Sequence, residues 1–138
     1  MSVHRIRLRG PWQFEWLSPT NRNPAEGRAS LPQEWRELFG TEPGQVRFLR
    51  KFNRPTNLDQ GSHVDVVFEG VGGFAKFAIN GQSLEPLPTD GSDVNSIRCR
   101  ITDDLEPSNE LQVDLHFDPS QDSKPGGLWG LVVLEIVE

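Results

Sequence analysis

Glycine and proline, 13 and 11 residues respectively, punctuate this chain every dozen positions or so. Between them Val, Ile, Leu and Phe alternate with polar residues, the period-two pattern of half-buried strands. The alternation predicts strands at Val46 to Phe52, Val64 to Phe68, Phe74 to Ile79, Ser96 to Ile101, Leu111 to Phe117 and Leu131 to Val137. Short strands separated by turn signals specify an all-β sandwich. In the run LQVDLHF, Leu111, Val113, Leu115 and Phe117 form an apolar face, while Asp114 and His116 point the other way. That strand has one dry face and one wet face.

The stretch FEGVGGFAKFAINGQ, residues 68–82, reads as turn, strand, turn. Phe77-Ala78-Ile79 alternates, and Asn80-Gly81 is the dipeptide that best supplies the positive φ angles of a tight hairpin. Only residues 31–40 look helical, with Pro32 near the start and Gly40 at the C-terminal cap. The expected helix is short, near 32–39. Residues 17–30 and 84–95 are polar and turn-rich and read as loops, where binding residues usually sit on a β scaffold.

At 138 residues the expectation is a single domain, 1–138, able to bury roughly two-thirds of its unfolded surface. Cys99 has no partner in the chain, and alternation places it with Ile97 and Ile101 on an apolar face, as a buried structural thiol. With no apolar leader after Met1, the expected location is cytoplasmic. No window is apolar enough for a membrane helix, so no membrane partner is expected. A net charge of −6 leaves little positive field for nucleic acid, which is not expected as a partner either. One local exception is His4 to Arg9, where Arg5, Arg7 and Arg9 share a strand face; three guanidiniums suit a phosphate or acidic sugar, but the reading favoured here is a solvated face, since charges on an edge strand also discourage aggregation.

Catalytic chemistry is not announced. The 20 acidic residues offer no pair that the sequence fixes at a set separation, and His4, His63 and His116 are scattered outside any nucleophile motif. No phosphate loop, dinucleotide fingerprint or paired-cysteine metal motif occurs, so neither cofactor nor metal is expected. Asp90-Gly91-Ser92-Asp93 and residues 118–122 contain oxygen ligands of the kind calcium takes, and ordinary turn chemistry accounts for the same residues. Tryptophan faces are platforms for sugar rings as well as core material. Trp12, Phe14 and Trp16 share one strand face, which suits a core, and Trp129 follows a flexible Gly126-Gly127-Leu128 approach to the last strand.

The order of these pieces resembles the N-terminal sugar-binding domain of glycoside hydrolase family 2, the group containing β-galactosidases, β-glucuronidases and β-mannosidases. Residues 8–14, LRGPWQF, are similar to that family's opening L-x-G-x-W-x-F, and FLRKF at 48–52 to its aromatic-x-R-x-F strand. FEGV at 68–71, AING at 78–81, ITDDL at 101–105, NELQV at 109–113 and PGGLW at 125–129 follow in the family's order. The resemblance implies a galactose-binding-like jelly roll whose catalytic barrel lies elsewhere, hence no enzyme activity in this chain. It also implies an acidic residue before the G-G-I-W-like segment that reaches the sugar; Asp122 is the nearest match, about one position off the family spacing. Gly130 stands where the family usually has Arg, and residues 82–95 replace its glycine- and aromatic-rich loop. The expected function is a non-catalytic carbohydrate-binding module in which Trp129 or Trp16 stacks on a sugar while Asp118, Asp122 and Asn95 bond its hydroxyls. The alternative is a protein-interaction or structural domain that kept the fold and lost the sugar site.

Overall fold

The computed structural model describes residues 2–88 and 95–138. It is an all-β jelly-roll sandwich. The smaller sheet has the order β1 (Val3–Arg7), β10 (Val132–Val137), β5 (His63–Phe68), β8 (Ile97–Arg100). The larger has the order β3 (Glu26–Ala29), β2 (Trp12–Trp16), β4 (Gly44–Asn53), β9 (Ser108–Phe117), β6 (Phe74–Ile79), β7 (Gln82–Leu84). Every pairing is antiparallel.

The alternation read from the sequence sets which residues enter the core. Leu111, Val113 and Leu115 are fully buried and Phe117 nearly so, whereas Asp114 turns outward and takes a bidentate hydrogen bond from Arg47 at 2.8 and 3.0 Å. Cys99 is fully buried beside Ile101 and Val66, and burial pushes its thiol up to about 12, so it is inert at neutral pH. The aromatic centre is Trp35, Trp16 and Phe39, packed edge-to-face at 4.9 to 5.7 Å between centroids. Each such pair adds roughly 0.5–1.5 kcal/mol beyond the area it buries.

The helix α1 spans only Trp35–Phe39, shorter than the 32–39 expected. Glu34 caps it reciprocally with Glu37, and Gly40 closes it at φ 69°. Two further departures from the sequence reading are strands. β3 lies inside the polar stretch 17–30, and β7 begins at Gln82, directly after the turn. Both are sheet edges, where exposed polar residues replace the alternating apolar pattern that marks an interior strand. Asn80 and Gly81 have φ 52° and 82°, the positive pair that joins β6 to β7. Asn80 also accepts from the Glu110 amide at 2.9 Å and donates to Asn109 Oδ1 at 3.0 Å, which ties the hairpin to β9.

Past Phe68 the chain does not leave β10. Glu69 donates to Leu131 O, Gly130 to Gly70 O, and Gly72 and Gly127 exchange a pair of backbone bonds at 2.9 Å. The glycines at 70 and 72 permit this approach. A Cβ at Gly72 would stand 1.9 Å from Pro125 O, and one at Gly130 would stand 2.3 Å from Gly70 N. The two segments approach more closely than side chains allow. Replacing Gly72 by Ala is expected to cost about 1–3 kcal/mol of stability through this overlap; urea unfolding midpoints of the two proteins measure it, and equal midpoints would mean the segments part without cost.

Candidate functional site

The same glycine junction shapes a depression of about 380 Å³ at one end of the sandwich. Its walls are Val71, Gly72 and Gly73 on one side and Asp122, Lys124, Pro125 and Trp129 on the other, with Asn95 beside them. Trp129 is half-buried. One side of its indole lies over Gly70, where an added Cβ would be 2.7 Å from Cδ2. The remainder lines the depression, so a flat apolar surface is held rigidly next to polar groups.

Asp122 is set in place by its own loop and by the helix. Its Oδ1 accepts from the Lys124 amide at 2.9 Å, leaving Oδ2 without a hydrogen-bond partner among the described residues. Its carbonyl accepts from Arg36 Nη2 at 2.6 Å. Arg36 also donates to the carbonyls of Pro119 and Lys124, pairs with Glu34 at 3.1 Å and lies 5.5 Å over the Phe117 ring. One guanidinium therefore fixes the whole 119–124 loop from beneath. Sequence reasoning missed Arg36, because carbonyl capping by an arginine on a neighbouring helix leaves no local pattern.

Of the five binding residues expected from the sequence, Trp129, Asp122 and Asn95 come together here. Trp16 and Asp118 do not join them. Trp16 is only 9% exposed, packed against Trp35 and Phe39, and its alternation with Trp12 on β2 directs it to the core. Asp118 lies just past β9, where its Oδ1 accepts from the Ser120 hydroxyl and amide at 2.7 and 3.0 Å. Those bonds lower its pKa, the hydroxyl contributing most. Residues 90–93, one of the two candidate calcium clusters, lie outside the described residues. Among the described residues no group of three or more His, Cys, Asp or Glu is arranged to hold a metal, and no helix is long and apolar enough to cross a membrane.

Another depression, of about 270 Å³, lies over β2 and β3 and is lined by Glu15, Glu26, Arg28 and Leu49. Its only aromatic lining is Phe14, which packs edge-on against Phe39 at 5.1 Å. The Phe14 depression also carries carboxylates, the Gln13 amide and a guanidinium, but the Trp129 depression sets a half-buried indole beside its carboxylate, amide and ammonium groups. That set suits a polyhydroxylated ring, with the indole against its apolar face and polar groups at its edge. Among the described residues it is lined by one carboxylate, Asp122, where the two-carboxylate chemistry of glycoside cleavage takes a pair.

A buried acid organises the loops on the helix side. Glu42, 7% exposed, accepts from Thr20 Oγ1 at 2.6 Å, Asn23 Nδ2 at 2.8 Å, and the amides of Asn21 and Arg22. Its own carbonyl receives the Trp35 indole N–H at 2.9 Å. The Thr20 hydroxyl and the Asn21 amide lead in lowering its pKa from 4.5 to about 2. The polar stretch after β2 is therefore a braced loop.

The fold is shared with large glycosidases. The chain superposes on an FMN-binding β-glucuronidase from Faecalibacterium prausnitzii L2-6 with TM-score 0.75 and 21% identity, over 96% of this chain and 22% of that one. It superposes on Bifidobacterium dentium β-glucuronidase, complexed with coumarin-3-O-glucuronide, with TM-score 0.74 and 17% identity, over 99% and 30%. A rhamnosidase from Novosphingobium sp. PP1Y matches with TM-score 0.70 and 16% identity, over 99% and 15%. At these identities the likeness establishes the fold. The chain spans less than a third of the length of each of these three glycosidases, a domain-sized part. No protein-family model matches the chain, and no curated protein matches it by sequence.

The Glu42 carboxylate makes a prediction about pH. Its folded pKa lies below its ordinary value, so its stabilisation is complete above pH 4.5 and is lost as pH falls toward about 2. Urea midpoints of the native protein should fall more steeply across that window than those of Glu42→Gln; parallel profiles would mean that the carboxylate does not brace the loop.

Proposed function

We propose that this chain is a non-catalytic carbohydrate-binding module, equivalent to the accessory N-terminal domain of a family 2 glycosidase. The observation that carries the reading is the convergence of Trp129, Asn95 and Asp122 on one depression, Asp122 and Trp129 from the connection between β9 and β10 and Asn95 from the segment before β8. The glycosidase fold is a second support. Trp129 would stack on the apolar face of a sugar ring, Asp122 Oδ2 would accept from a hydroxyl, and the Asn95 amide and Lys124 ammonium would bond the ring's other oxygens.

The family's arginine after the tryptophan is Gly130 here, and the junction explains why. A side chain at 130 would enter the backbone of Gly70. Sugar contacts in this chain would therefore come from the rim residues above, not from that position. Because hydroxyl bonds to protein mostly replace bonds to water, affinity depends on how firmly the rim is held. Arg36 and the Gly72–Gly127 bridge supply that firmness.

Intrinsic fluorescence tests the proposal. Trp12, Trp16 and Trp35 are buried, so a bound sugar should perturb chiefly Trp129. Titration with mono- and oligosaccharides, glucuronic acid included, should give a saturable shift that disappears in Trp129→Ala. A flat response across the panel from folded protein would overturn the proposal in favour of an interaction domain.

A further inference from the structure

Arg22, Arg54, Lys76 and Lys124 lie without a carboxylate partner at separate places among the described residues, while Arg5, Arg36, Arg47, Arg98 and Arg100 all pair with carboxylates. On the smaller sheet this makes a continuous outer network in which Asp65, 2% exposed, receives Arg98 and Arg100, and Glu135 links Arg98 to Arg5. Arg7, Arg9, Arg28, Arg50 and Lys51 have no carboxylate partner among the described residues, and they gather at one open edge of the sandwich.

The topology creates that edge. β2 pairs with β4 only as far as Leu49, so β4 runs on from Arg50 to Asn53 with no strand on that side among the described residues. Two adjoining grooves follow it and share Arg50 and Lys51. One, of about 300 Å³, also contains Arg28, and the other, of about 390 Å³, contains Arg7. Neither lining includes a carboxylate, in a chain with 20 acidic and 14 basic residues. Arg50 is fixed by its backbone contacts: Nε donates to Arg9 O at 2.6 Å and Nη1 to its neighbour Lys51 O. The Arg9 residue is thereby brought to the same place. An immobilised guanidinium loses little further freedom when it binds an anion.

We propose that this edge binds a sulfated polysaccharide, with Arg28, Arg50, Lys51 and Arg7 receiving successive sulfate groups along the two grooves. Sulfate offers the oxygens that guanidinium groups bond in pairs, and a polymer can occupy both grooves at once. Nucleic acid fits less well. Neither groove has an exposed aromatic ring on which bases could stack, whereas a sulfated sugar chain needs only donors for its sulfate oxygens. The site is remote in the fold from the Trp129 depression and shares no residue with it.

Isothermal titration of the whole chain at low ionic strength tests this, with dextran sulfate as the probe and with unsulfated dextran and a single-stranded oligothymidylate as comparators. The expected result is binding of dextran sulfate alone, weakened about tenfold or more in the exposed double variant Arg28→Gln, Lys51→Gln. Trp129→Ala should bind it as the native protein does. Thermal melting of each variant shows that it remains folded. Absence of dextran sulfate binding, unchanged affinity in the double variant, or equal affinity for the oligothymidylate would each overturn the proposal.

Discussion

The architecture turns on a backbone-to-backbone approach between residues 69–73 and 126–131. There β5 and β10 continue to pair beyond their regular ends through the Gly72–Gly127 bridge and the Gly130 to Gly70 bond. No side chain larger than hydrogen fits at the closest points. Three consequences follow from this one constraint. The smaller sheet gains a rigid end, Trp129 is laid against Gly70 with part of its indole facing outward, and Val71, Gly72 and Gly73 form one wall of the depression beside it. A tighter seal would bury the tryptophan, and a looser one would let it move.

The helix side is built differently, with charge where the junction uses shape. Arg36 collects the carbonyls of residues 119, 122 and 124, and Glu42 collects donors from residues 20–23. Both charged groups serve loop backbone that no strand partner satisfies, which is how an irregular segment stays ordered at the surface. The depression therefore has one wall set by close-packed glycine and another set by an arginine clasp.

Much of this was legible in the sequence. Interior strands such as β9 and β6 declare themselves because alternate residues meet core and water, and Asn80-Gly81 declares its turn because few other residues take two positive φ angles. Edge strands β3 and β7 were hidden, since a strand with one neighbour carries little apolar signal. At the site, Trp129, Asp122 and Asn95 could be picked out as residue types in turn-rich segments, but their meeting depends on long-range pairing. Trp16 and Asp118 show the limit from the other side: each has suitable chemistry, and a core contact or a local turn takes it up. The open cationic edge was only half visible, because Arg7 and Arg9 stand on one alternating stretch of sequence while Arg28, Arg50 and Lys51 arrive from other strands.

The central claim is that the glycine junction presents Trp129 and its neighbours as a preformed sugar-binding surface. Two-dimensional nitrogen–proton spectra of labelled protein test it most directly, because the four indole N–H groups and the backbone amides are read separately. Saturation with a saccharide that binds should shift the Trp129 indole and the amides of Gly72, Gly73, Asn95 and Asp122, and leave the Trp12, Trp16 and Trp35 indoles in place. Shifts centred on Gln13, Glu15 and Gly27 instead, or movement of all four indoles together, would contradict the account.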